Sequence, residues 1–197
     1  MNSIKKTLLL FISLLAFTNV VNAQKTDGDI KHLMIERDAE IKDLLGPEGS
    51  EYTSEQREKL KEIINGIIDF EAMAKTALAE TYDTLNADKK DEFVELFSSI
   101  VRDHSLNKLD IYRADVTYQN ISINGDSSYV ETLAELDDVR TPVNYAMRFT
   151  GNEWVITDMT IDDVSTAESY NRQFQKIIKK KGFDSLMENL RKRASRT

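Results

Sequence analysis

"ADVTYQNISINGDSSYVETLAEL" (Ala114–Leu136) is where the chain changes its period. Before Ala114, apolar residues return every three or four positions. After it they alternate, in runs rich in Val, Ile, Thr and Tyr, the pattern of half-buried strands. Asn124-Gly125 sits between the first two runs and suits a two-residue hairpin turn. Two further runs follow, "VNYAMRF" (143–149) and "WVITDMTI" (154–161), parted by Thr150-Gly151-Asn152. Four runs with short turns predict a four-stranded antiparallel meander over 114–161.

Upstream, the spacing predicts helices. Asp29–Leu45 carries Ile30, Leu33, Met34, Ile41, Leu44 and Leu45 on or near one face, and Gly46-Pro47 ends it. Thr53-Ser54-Glu55-Gln56 is a capping-box pattern opening a second helix. Asp69 is placed to cap a third over Phe70–Tyr82, and Asn86 a long fourth reaching about Arg113, with a bend or break expected between Asp103 and Asn107. Downstream, Ser165–Lys180 and Phe183–Arg193 return to helix, hinged at Gly182. The expected fold class is α+β: a helical half over about 29–113, a sheet over 114–161 and C-terminal helices over 165–193. The helices should cover one face of a curved sheet.

The ends set the compartment. Lys5 and Lys6, the apolar run Leu8–Phe17 and Val21-Asn22-Ala23 form a secretory signal over 1–23, cut after Ala23. That run is about half the ~20 residues of a spanning helix. About 174 residues would remain as one domain over 24–197, exported and without cysteine, so that a packed core rather than disulfides must hold it together. The formal charge is −8 for the whole chain, and −10 once Lys5 and Lys6 are removed. From Lys176 onward eight cations face two acids, leaving a strongly acidic body that repels nucleic acid. The basic end suits either a solvated last helix or contact with a membrane or acidic partner.

Chemistry is sparse. There is no cysteine, no nucleophile elbow and no phosphate loop, and the two histidines, His32 and His104, stand apart with no metal-ligand spacing. Asp158, Asp162 and Asp163 remain. They could serve an exported carboxylate-dependent hydrolase, pairing Asp158 with Asp162 or Asp163. A sugar groove would also need stacking aromatics, and the stretch has one Trp. Asp162 and Asp163 stand between a strand and a helix, where acidic side chains cap free N–H groups. On that reading the stretch around Trp154, Asp158, Asp163 and Ser165 is a structural corner. The surplus of apolar residues fits a filled core, as in a plain interaction domain, or a lined cavity; both need the same pattern.

Two segments carry a family resemblance. "IIDFEAMAKTALAETYDTLNADKKDEFVELFSSIVRDHSLNKLDIYR" (67–113) and "WVITDMTIDDVSTAESYNRQFQKIIKKKGFDSLMENL" (154–190) resemble the MlaC / toluene-tolerance family of periplasmic phospholipid-binding proteins. Trp154, Asp158, Val164, Ser165, Arg172, Phe174, Gly182 and Leu186 fall on the family's motif, with Asp163 where glycine is usual. The resemblance implies a monomeric periplasmic carrier, without metal, cofactor or catalytic residue, whose cargo is a phospholipid. Its partners would be an inner-membrane ABC-transporter complex with an MCE-domain ring and an outer-membrane lipoprotein–porin complex, and its role the upkeep of outer-membrane lipid asymmetry. Enclosing acyl chains is worth ~0.8 kcal/mol per CH₂, so two tails favour an apolar slot by roughly 20 kcal/mol or more. The expected lining is Ile67, Phe70, Met73, Phe97, Val101, Tyr145, Met147, Phe149, Phe174 and Ile178.

Overall fold

The structure, a computed structural model, describes residues 25–46, 48–49, 51–106 and 109–195. The expected signal segment and its cleavage site lie outside the described residues. Among the described residues seven α-helices and five strands follow in order: α1 Asp27–Leu45, α2 Ser54–Ile67, α3 Phe70–Leu78, α4 Glu80–Asp83, α5 Ala87–Leu106, a 3₁₀ turn Leu109–Arg113, β1 Asp115–Asn124, β2 Ser127–Leu136, β3 Val139–Phe149, β4 Trp154–Ile161, β5 Val164–Ser165, α6 Thr166–Lys181 and α7 Phe183–Ala194.

Local signals account for most boundaries. At α2 the Thr53 hydroxyl accepts from the Gln56 N–H at 3.1 Å, and the Gln56 side chain accepts from the Thr53 N–H at 2.8 Å. Both otherwise orphaned donors are thereby satisfied. Asp69 caps α3 through the Ala72 N–H at 3.0 Å, and Asn86 caps α5 through the Lys89 N–H at 3.0 Å. Gly182, at φ +81, separates α6 from α7. A single helix over Phe70–Tyr82 was expected from the alanine-rich composition; instead the chain breaks at Ala79, which takes φ +49. The helix from Asn86 ends at Leu106, inside the stretch where a bend or break is expected, and Leu109–Arg113 forms a separate 3₁₀ turn.

The sheet runs β1-β2-β3-β4-β5, antiparallel throughout. It has one more strand than the four expected, because Val164 and Ser165 fold back beside Ile161 and Thr160. The turn that allows this is Asp162-Asp163, both left-handed at φ +48 and +60. Aspartate tolerates that region at a cost glycine avoids. Asp163→Gly is therefore expected to raise stability by about 0.5–1 kcal/mol, measured as a shift in the urea midpoint at unchanged m.

Two bulges shape the sheet. On β1 the register passes from Tyr118–Thr132 to Asn120–Glu131, leaving Gln119 unpaired; on β4 it passes from Ile156–Met147 to Asp158–Ala146, leaving Thr157 unpaired. Simple alternation would turn Ile121 and Ile123 away from the face of Val116 and Tyr118. One extra residue restores them to it, and also bends and twists the strand. The same shift brings Met159 and Ile161 to the face of Trp154 and Ile156. On β2, buried Ser128, Val130 and Thr132 alternate with less buried Ser127, Tyr129 and Glu131, so one face of the sheet is covered and the other meets water.

The helices meet the sheet at its flanks. α1 lies beside β1, while α2, α3 and α6 pack on β4. The α2–α3 link also closes the free part of the β4 edge: the Asp69 N–H donates to Ile156 O at 2.8 Å, and Arg148 from β3 pairs with the Asp69 carboxylate. Over β2 and β3 no helix comes comparably close among the described residues. No helix among them is long and apolar enough to cross a membrane.

Candidate functional site

The corner around Asp158 is a capping device. The Asp158 carboxylate accepts from the Met159 N–H at 2.8 Å and from the Ala167 N–H at 3.0 Å, and the Ser165 hydroxyl donates to it as well. The Ser165 oxygen in turn caps α6 through the Glu168 N–H at 3.0 Å. Asp162 and Asp163, expected as caps, form the β4–β5 turn instead. The capping work falls to Asp158 and Ser165, because the fold-back of β5 carries Ser165 beside Asp158. A carboxylate engaged by three donors at a helix N-terminus is well placed to hold that helix. Among the described residues no group of three His, Asp or Glu side chains is placed to hold a metal ion.

The apolar residues divide into two groups. Phe97, Phe174, Met73 and Val101 lie in the bundle of α3, α5, α6 and α7. There Phe97 is stacked on Phe93 at 5.7 Å and set edge-on to Tyr170 at 5.1 Å and Phe174 at 6.0 Å. Phe93, Phe97 and Met73 are wholly buried. Ile67 and Phe70 flank the α2–α3 link; Phe70 is half-buried beneath the Arg102 guanidinium. Met147 and Phe149 are buried on the inner face of β3, the latter against Trp154 at 5.4 Å, and Ile178 on α6 is half-buried.

Tyr145 belongs to the other group. It shares the inner face of β3 with Met147, far enough in that burial pushes its hydroxyl pKa well up, with Tyr118, Tyr112 and Asp38 as its further electrostatic neighbours. Yet its side chain keeps intermediate exposure. Tyr118, on the inner face of β1, is similar: burial, then the Asp38 carboxylate, push its pKa to about 12. Burial also raises Tyr112 of the 3₁₀ turn, against the opposing effect of a hydrogen bond with Ser105. Among the described residues neither the Tyr118 nor the Tyr145 hydroxyl has a hydrogen-bond partner. On β2, Thr132 donates its hydroxyl to Val143 O and is satisfied, while the buried Ser128 hydroxyl, between Ile123 and Met147, has no partner among the described residues. Sequence reasoning missed Tyr118, Tyr112, Ser128 and Thr132. The phase slip between Tyr118 and Ile121 was the available signal for the first.

The raised phenol pKa values have a measurable consequence. Their folded-state values exceed the ordinary 10.0, so the unfolded chain loses its protons first as pH rises. The stabilisation is fully present below pH 10 and is lost as pH climbs through about 12 for Tyr118. Urea midpoints are expected to stay level from pH 8 to 9.5 and to fall above pH 10, less steeply in a Y118F/Y145F double variant. A double variant that tracks wild type through this range would show both hydroxyls to be open to bulk water.

Comparison with known proteins finds the same architecture. The sequence profile of the MlaC protein family matches residues 39–192. No curated protein matches the chain. Among solved structures, the phospholipid-binding protein from Ralstonia solanacearum, determined in complex with a phospholipid, superposes with a TM-score of 0.70 at 18% identity, over 86% of this chain and 96% of that one. At that identity the likeness speaks for the fold. The family match runs from the last part of α1 into α7, taking in both bulged strands and the Asp158–Ser165 corner, and the chain belongs to the MlaC family.

Proposed function

We infer that this chain is a phospholipid carrier of the periplasm. Its signal segment, residues 1–23, is removed on export, and residues 24–197 act as one lipid-binding domain. The observation that carries this reading is membership in the MlaC family over residues 39–192. Two others support it: the structural neighbour holds a phospholipid, and Tyr118 and Tyr145 on the inner face of the sheet pack against the core while keeping partial exposure.

A carrier needs no bond-making residue. It must exchange water for apolar surface around the tails, at ~0.8 kcal/mol per CH₂, and release them to a partner that offers the same. The ten apolar residues from Ile67 to Ile178 named above line or support that slot. The cargo passes between an inner-membrane ABC complex with an MCE-domain ring and an outer-membrane lipoprotein–porin complex, with the carrier itself a monomer. The acidic body keeps the carrier from lodging on anionic lipid surfaces between visits.

Native mass spectrometry of the mature chain, purified without detergent from a Gram-negative periplasm, tests the reading. An adduct of phospholipid mass that is lost on denaturation is expected. A bare protein mass, together with no uptake from donor vesicles, would sink it.

A further inference from the structure

The inner face of the sheet is covered at one end and bare toward the β2–β3 turn. There Leu136 stands opposite Val139, Val143 opposite Ile161, and Ile161 opposite Val164, so all five share the face of buried Val130 and Met147. Val139, Val164 and Ile161 are 64%, 51% and 41% exposed, and Leu136 and Val143 are half-buried. Apolar side chains gathered on one face in this way, with a polar border, mark a contact surface. The border here is acidic. Asp137 and Asp138 close the β2–β3 turn and Asp162 and Asp163 the β4–β5 turn, all four exposed and without an ion pair among the described residues. The Asp162 N–H donates to Pro142 O at 3.1 Å, three residues from Val139, which sets the two turns roughly 10 Å apart along β3. Cations at this end are committed elsewhere. Arg140 pairs with Glu135 at 2.9 Å, Lys42 with Asp38 at 3.0 Å and Asp115 at 4.0 Å, and Arg113 donates to the Leu45 and Gly46 carbonyls.

We propose that this acid-bordered apolar end docks a partner protein whose own surface is an apolar patch bordered by Lys or Arg. The inference rests on the carrier reading above and says which end of the carrier meets the complexes named there. Charge decides among the possible occupants. An anionic bilayer would face four unpaired carboxylates at this rim. It would instead draw Lys176, Lys179, Lys180 and Lys181, which are exposed and without an ion pair among the described residues. They stand at the far end of α6, whose 16 residues start directly after Val164-Ser165 and span about 24 Å. That pull turns the apolar end away from a lipid surface. A second copy in a two-fold contact would set the same acidic turns against each other. A basic-bordered protein meets neither objection. Its charges steer the encounter and fix the orientation, and the apolar residues supply the contact that follows.

The test measures binding of the mature chain to the inner-membrane and outer-membrane complexes of the same cell, each purified into nanodiscs of zwitterionic lipid. Vesicles of phosphatidylethanolamine with phosphatidylglycerol serve as the bilayer probe. Asp137, Asp162 and Asp163 take φ +53, +48 and +60, a region asparagine also tolerates, so D137N/D138N/D162N/D163N removes the charge and keeps the turns. V139S/V164S removes apolar contact at exposed positions. Wild type is expected to bind at least one complex, more weakly as salt rises. Each variant should weaken that binding roughly tenfold, the asparagine variant with a flatter salt dependence. Either variant binding as tightly as wild type would overturn the proposal. So would wild-type binding to the vesicles, or a wild-type dimer, that V139S/V164S abolishes. Wild type that carries phospholipid by native mass spectrometry yet binds neither complex would overturn it too, and leave the lipid-binding reading standing. Wild type without phospholipid and without uptake from donor vesicles would remove both. The salt dependence of wild type needs no variant, so binding that holds level as salt rises overturns the proposal even where a variant fails to fold.

Discussion

Phe97→Ala is expected to lower the unfolding free energy by about 3–5 kcal/mol, the usual cost of deleting a fully buried aromatic ring. Phe97 has no exposed surface, and Phe93, Tyr170 and Phe174 ring it at centroid distances of 5.1 to 6.0 Å. The loss has two parts: the transfer of the ring out of water, and the cavity left behind. Three aromatic neighbours on α5 and α6 cannot close in without moving their helices, which argues for the upper half of that range. Equilibrium urea unfolding of wild type and variant, with m held constant, measures it. A cost below about 1.5 kcal/mol would show that the ring borders open space, as a slot-lining residue would, and would shift the slot toward the helical bundle. The same substitution at Tyr145, on the accessible face, should cost clearly less.

Asp158→Ala ranks second, at about 2–3 kcal/mol. The variant leaves the Met159 and Ala167 N–H groups and the Ser165 hydroxyl without their acceptor and removes a negative charge from the start of α6. Asp158→Asn keeps one acceptor oxygen but introduces an amide that cannot accept, so it should fall between alanine and wild type. Thermal unfolding orders the three. Lipid content in the Asn variant is the informative second reading, because a capping role predicts unchanged loading in whatever fraction stays folded. A variant as stable as wild type but empty of lipid would contradict the capping role and return Asp158 to the list of functional residues.

Much of the fold was legible because its signals are local. The capping box at Thr53 and Gln56, the caps at Asp69 and Asn86, the hinge at Gly182 and the change of period at Ala114 each depend on hydrogen bonds or repeats within a few residues, and each stands where the sequence put it. Where non-local packing decided, the reading failed. Ala79 breaks a good helical run, and nothing in its neighbours' propensities announces that. Asp162 and Asp163 looked like caps from their position between strand and helix. Only the return of β5 beside β4 brings Ser165 to Asp158 and leaves the other two in the turn.

The sequence by itself determined the α+β class, the order of elements, the poverty of catalytic chemistry and, through its motifs, the family. The tertiary structure alone decided which apolar residues are sealed and which keep some exposure. Phe97 and Tyr145 are both large aromatic residues at inward positions of their elements. One is sealed by three rings, and the other is packed against the core yet keeps partial exposure. Filled and empty interiors call for the same side chains, since both must exclude water. The distance between the layers tells them apart, and that distance is set by contacts among residues far apart in the chain.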